Sequence, residues 1–250
     1  MKKVAILCML LAFLLAPVGC NRRNAVSDEN KTYEVSTSIN SLEIKVNAAD
    51  FTIKHGEEFS VESNLTYLSV NEEYGTLMIE DLAPSNSNYA NAQLTVYIPE
   101  NTVFDYVNIF TGAAKLTVES LSTDSMTLKL GAGDVRFGDL TVTSDADIEG
   151  GAGEITINGG TINNLDLEVG FGELNLTAQL LGDNDFELGL GESNITLIGS
   201  KDDYTVEIDK AVGSITVDGK SVTDFAIGGS GENHIDIEGG VGSINLKFGN

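Results

Sequence analysis

Met126-Thr127-Leu128-Lys129-Leu130, Gly131-Ala132-Gly133-Asp134, Val135-Arg136-Phe137 is the stretch that decides the fold. Three alternating apolar residues meet a tight corner of small residues, and two more alternating apolar residues follow. Alternation places Met126, Leu128 and Leu130 on one face of a strand. The corner changes direction within four residues, which calls for glycine at positions where a side chain would clash. Val135 and Phe137 then turn back to the same interior. Further copies begin at Val107, Ala146, Leu165, Phe186 and Val206, so the starts advance by 19, 20, 19, 21 and 20 residues. A fixed step of this size is the signature of a repeat architecture, in which one unit cannot bury its apolar face alone and stacking makes the core.

The expected fold is therefore all-β: a single-chain β-solenoid with about 20 residues and two short strands per coil, right-handed, its strands stacked ~4.8 Å apart. Leu42-x-Ile44-x-Val46, Asn47-Ala48-Ala49-Asp50, Phe51-x-Ile53 matches the phrase position for position, so a coil begins well before Val107. No stretch after residue 20 carries a helical period. The segment 33–110 reads as a less regular β portion continuous with the solenoid, and 111–250 as the regular repeats. Near the C-terminus, Ile235–Leu246 repeats Val206–Val217 at an offset of 29. An open last coil would template further strand pairing. Either that offset folds the tail over the edge, or the edge is a docking surface.

The net charge of −24 carries its own message. Such a surface repels phosphate backbones and anionic lipid, which excludes nucleic acid as a partner. Apolar residues, at 42%, suffice for a continuous core and argue against a disordered chain. Residues 1–19 have the form of an export signal: Lys2-Lys3, the apolar run Val4–Ala16, then Pro17-Val18-Gly19 before Cys20. Gly19-Cys20 resembles a bacterial lipobox, in which the cysteine is acylated, although Pro17 stands where an aliphatic residue is usual. Cys20 is thus the expected lipidation site, with 20–32 a polar, flexible tether to the membrane. Cys8 lies within the signal, so the mature chain would fold without a disulfide.

Leu94-Thr95-Val96-Tyr97-Ile98-Pro99, Val107-Asn108-Ile109-Phe110-Thr111-Gly112-Ala113 and Leu128-Lys129-Leu130-Gly131-Ala132-Gly133-Asp134-Val135 resemble the bacterial DUF4097 family over roughly residues 33–246. The resemblance implies an extracytoplasmic β-solenoid tethered to the cell envelope. The adhesin label often given to that family rests on fold analogy and transfers no site.

Chemistry is sparse. The two histidines, His55 and His234, each fall in a polar, glycine-containing turn, far from what a Ser–His–Asp triad or a zinc site needs. Glycoside chemistry wants a distinguished pair of carboxylates, and acids here are everywhere. Asp134, Glu154, Glu173 and Glu192 recur at the corner, and in-register coils would stack them into a column that calcium could bridge. Lys115, Asn194 and Ser214 interrupt it, and a solvated acidic rim is the simpler account. The Gly-x-Gly corners precede strands, so they are not phosphate loops. Phe and Tyr mostly occupy inward positions and read as core.

The expectation is a non-enzymatic, lipid-anchored envelope protein with no catalytic residues, cofactor or metal, its solenoid monomeric, binding an unknown protein or cell-surface partner. An envelope-stress accessory role and a polysaccharide-active enzyme are the rivals.

Overall fold

The computed structural model describes residues 23–36, 38–223, 225–227 and 231–249. The predicted signal and Cys20 lie outside the described residues. In chain order the strands are β1 Val26–Glu34, β2 Ser41–Gly56, β3 Ser60–Leu65, β4 Leu68–Glu73, β5 Thr76–Asp81, β6 Gln93–Pro99 and β7 Val103–Ile157. They continue as β8 Gly160–Asn163, β9 Leu165–Leu181, β10 Asp183–Leu197, β11 Tyr204–Val217, β12 Lys220–Val222, β13 Phe225–Ile227 and β14 Asn233–Phe248. All belong to one 14-stranded open sheet.

Each coil has two arms joined at the small-residue corner. β7 runs unbroken around its corners and supplies three successive coils. Stacking is parallel and in register: Leu42 faces Val107 and Ile53 faces Val118, while Ala146 faces Leu165 and Ile157 faces Leu176. The inward positions Met126, Leu128, Leu130, Val135 and Phe137 are each 4% exposed or less. Alternation and burial thus agree along the whole stack.

A third, shorter arm completes the middle coils: Leu140–Val142 pairs with Gly160–Ile162, and Thr161 onward with Gln179–Leu181. Two strands per coil were expected. The third rests on one or two inward residues per coil, too few for an alternation to stand out from the turns around it.

From Gly133 onward glycine at the corner is a stacking requirement, whereas Ala49 and Ala114 hold that position, without a positive φ, in the two coils before. Gly133, Gly153, Gly172, Gly191, Gly213 and Gly242 all have φ between +121° and +155°. A Cβ on Gly153 would lie 1.7 Å from the Gly133 carbonyl oxygen, in the next coil.

The register of one copy differs from the reading in sequence. Asn184, rather than Phe186, occupies the first inward position, since Phe186 faces Leu167. Asn184 is 1% exposed, and a polar residue there hid the start of the copy. Its side-chain amide donates to the carbonyls of Leu181, Gly182 and His234 at 3.3, 3.2 and 3.1 Å and accepts the Leu165 N–H at 3.1 Å. One side chain thereby ties three coils together. Asn184→Ala removes all four bonds and takes the acceptor from the Leu165 N–H, while the Leu181 and Gly182 carbonyls keep the N–H groups of Asn164 and His234; it is expected to cost about 2 kcal/mol. The check is a thermal melt, with a fall of roughly 4–8 °C for a chain of this size.

The two ends of the stack are closed by antiparallel strands. At the N-terminal end β5 and β6 pair with the two arms of β2, and β4, β3 and β1 add antiparallel beyond them. Residues 26–32 of the expected tether instead belong to the edge strand β1, Val26–Glu34. Its polar composition reflects exposure along most of its length, with Val26, Tyr33 and Val35 packed on the core.

At the other end the chain departs from simple succession. β14 inserts between β10 and β11, pairing in parallel with both. Before β11 the chain forms a short 3-10 turn, Lys201–Asp203, capped reciprocally by Ser200 and Asp203. β11 thus becomes the outermost full coil, and β12 and β13 cover its arms antiparallel. The 29-residue offset therefore buries the last coil of the sequence inside the stack.

Candidate functional site

Stacked coils turn each outward position into a column, so the surface is a set of ladders along the solenoid axis. On the outer face of the first arm two ladders are acidic. One runs Asp147, Asp166, Asp185, Asp236, Glu207, and the other Glu149, Glu168, Glu187, Glu238, Asp209. Neighbours within a ladder repel by about 0.9 kcal/mol at ~4.8 Å in water before screening. Lys129 relieves the N-terminal rung, pairing with Asp147 at 3.5 Å and with Glu149. Hydrogen bonding to Glu149 raises the Lys129 pKa. Among the described residues no basic side chain pairs with the remaining eight carboxylates.

Around the corner lies an apolar ladder. Ala152, Phe171, Leu190, Val241 and Val212 stack in register. Phe171 is 60% exposed, Leu190 42%, Val241 46% and Val212 59%. These four are most of the large apolar side chains that the described surface leaves open. Beside the second acidic ladder a groove of about 530 Å³ is lined by Glu168, Glu187, Glu238, Asp209 and the side-chain-free Gly170, Gly189 and Gly240; the ridge borders it one residue further on and is not part of its lining.

Sequence reasoning missed the ridge by assigning aromatic residues to the core. The signal was present: in Gly170-Phe171-Gly172, Gly189-Leu190-Gly191 and Gly240-Val241-Gly242 a large apolar residue sits between two corner glycines. The corner is the outermost point of the coil, so such a residue has no interior to enter.

The predicted corner column is in register, with Glu154 facing Glu173 and Glu173 facing Glu192. Amides and one guanidinium satisfy it. Arg136 reaches Glu154 at 3.3 Å, Asn175 donates to Glu173 at 2.8 Å, and Asn245 donates to Glu192 at 3.3 Å. Asn194 belongs to a separate ladder beside it, accepting from Asn245 and donating to Asn175, both at 3.0 Å. Among the described residues no three His, Cys, Asp or Glu groups converge as metal ligands would.

The histidines are placed differently from expectation, both on strands. His55 ends β2, half-buried, with Nε2 2.6 Å from Ser120 Oγ, while its Nδ1 is buried without a partner. A triad acid holds its imidazole from the second ring nitrogen, and no carboxylate occupies that place. His234 begins β14, half-exposed, 3.6 Å from Asp183. Near the N-terminal cap Asn47 and Tyr89 both donate to Asp81, at 3.0 and 2.7 Å, pinning the loop after β5. Burial, reinforced by Asp81, pushes the Tyr89 pKa up to about 12.

An all-β stack of glycine-cornered coils, closed at both ends and bearing ladders on its surface, is an architecture for presenting side chains. The chain belongs to the Toastrack DUF4097 family, whose model matches residues 24–247. Solved structures similar to it include a candidate adhesin from Parabacteroides distasonis, 10% identical with a TM-score of 0.44, covering 90% of this chain and 99% of that one. Another is a candidate adhesin from Bacteroides fragilis, 12% identical with a TM-score of 0.42, covering 88% and 98%. A candidate lipid-binding protein from Parabacteroides distasonis is 18% identical with a TM-score of 0.37, covering 90% and 99%. No curated protein matches the sequence.

Proposed function

We propose that this protein is a non-enzymatic, lipid-anchored component of a bacterial cell envelope whose solenoid serves as an adhesin-like interaction scaffold. Cys20 is the acylated residue, and the polar residues that follow it link the lipid to β1. The solenoid stands on the extracytoplasmic face and meets its partner through its outer surface.

One observation carries the scaffold reading: Phe171, Leu190, Val241 and Val212 form a continuous exposed apolar ladder beside a ladder of carboxylates. Contiguous apolar surface rimmed by charge marks interaction sites. The composition of the sequence points the same way, since the acidic balance disfavours direct adsorption to anionic lipid and leaves a covalent anchor as the route to the membrane.

Labelled palmitate supplied to cells producing the chain should enter the wild type and not Cys20→Ser. Equal labelling of the two would remove the anchor. Crosslinking in the native cell should recover a partner, and the absence of any adduct would remove the scaffold.

A further inference from the structure

We propose that the acidic groove, together with the apolar ridge that borders it, docks a cationic amphipathic α-helix of a protein partner, laid along the solenoid axis. This rests on the scaffold reading and names its surface and its ligand. The apolar side of the site is Phe171, Leu190, Val241 and Val212, all exposed. The acidic side, which lines the groove, is Glu168, Glu187, Glu238 and Asp209, in register with the ridge coil by coil. Gly170, Gly189 and Gly240, also in the groove, directly precede Phe171, Leu190 and Val241 and place no side chain between the two ladders.

Charge complementarity selects the partner. A second copy docked ridge to ridge would bring two acidic faces together, and an anionic membrane meets the same repulsion. A basic partner is attracted, and its lysine or arginine stems can lie over the glycine floor while the charged heads reach the carboxylates.

The spacing selects the secondary structure. Coils repeat every ~4.8 Å, whereas side chains on one face of an extended strand recur every ~6.7 Å and fall out of step. An α-helix advances ~5.4 Å per turn, so it can offer one apolar and one basic residue to nearly every coil. The five coils of the ladder span ~19 Å, the length of about 13 helical residues. Helix-in-groove recognition of this kind reads residues at i, i+3, i+4 and i+7.

The probe is a labelled, helix-forming lysine–leucine peptide of about 14 residues, titrated onto the mature chain and followed by fluorescence anisotropy. Binding should weaken at least tenfold in Phe171→Ser/Leu190→Ser, and at least tenfold in Glu168→Gln/Glu187→Gln/Glu238→Gln. The second loss should shrink in high salt and the first should persist. All five side chains are exposed, so both variants should keep the wild-type circular dichroism and melting temperature.

A scrambled peptide of the same composition binding equally well would reduce the effect to bulk charge and overturn the proposal. So would no binding, or binding indifferent to the serine pair. Sedimentation as a dimer that the serine pair abolishes would assign the ridge to a second copy instead. Flotation with phosphatidylcholine vesicles lost in the same pair would assign it to lipid. Should the peptide fail while crosslinked partners in the cell persist in the serine pair, the groove is refuted and the scaffold stands. A wild-type chain that crosslinks nothing refutes the scaffold itself.

Discussion

Gly172→Ala lowers the melting temperature by roughly 10 °C or more, at ~2–4 °C per kcal/mol for a domain of this size. Gly172 has φ +140°, and a Cβ there would stand 1.7 Å from the Gly153 carbonyl oxygen. The obstacle is backbone, so no side chain can swing aside. The stacking distance cannot widen locally either, because the adjacent Phe171 and Glu173 are held in register with Ala152 and Glu154. Backbone strain of about 1–3 kcal/mol adds to an overpacking cost of similar size. Gly219→Ala is the control. Gly219 also has positive φ, at +75°, but a Cβ there would meet nothing within 4 Å. Its cost is the strain alone. Equal melting temperatures for the two variants would show that coil contact is not what demands glycine at the corner.

Deleting residues 146–155 abolishes the cooperative melt, whereas deleting residues 146–164 preserves it. The longer deletion removes one whole coil. Asp145 is joined to Leu165, which already occupies the position stacked on Ala146. Every corner glycine, inward residue and ladder then meets a partner of its own kind, and the stack is shorter by ~4.8 Å. Such loss resembles removing one unit from a one-dimensional array, with stability falling by one unit and one interface. The shorter deletion keeps more residues but joins Asp145 to Thr156, so the corner between the arms disappears. Inward side chains such as Ile157 then have no column to enter, and the corner glycines of the following coils lose their counterpart. Far-UV circular dichroism with temperature distinguishes the outcomes. A steeper, higher transition in the ten-residue deletion would mean that the coil is not the unit of stability.

Local chemistry explains which parts of this architecture were legible. Leu42–Ile53 and Val107–Val118 are recognisably one phrase, and they pair residue for residue. Both the alternation and the glycine corner are satisfied within a dozen neighbouring residues, so they leave a mark in the sequence. The corner carboxylates were also placed in the right column, since register follows from the period. What they do was decided by Asn245 and Arg136, which arrive from other coils, and by Asn175, two residues on from Glu173 in its own coil. Asn184 shows the reverse case. As a buried polar residue it breaks the apolar pattern, and its four hydrogen bonds are invisible until coils on both sides are in place.

The sequence by itself determined the coil: its period, its inward residues, its glycine corner and the acidic character of its outer face. Those properties depend on backbone geometry and alternation, which act over short distances. Tertiary structure alone decided the order of the coils and the surface they make. Val206–Val217 and Ile235–Leu246 fit the same slot, because parallel pairing asks only for matching register. The contacts that put β14 between β10 and β11 are made by strands far apart in the chain. The ridge follows from the stacking: Phe171, Leu190, Val241 and Val212, separated in the chain, become one apolar ladder when their coils pair in register.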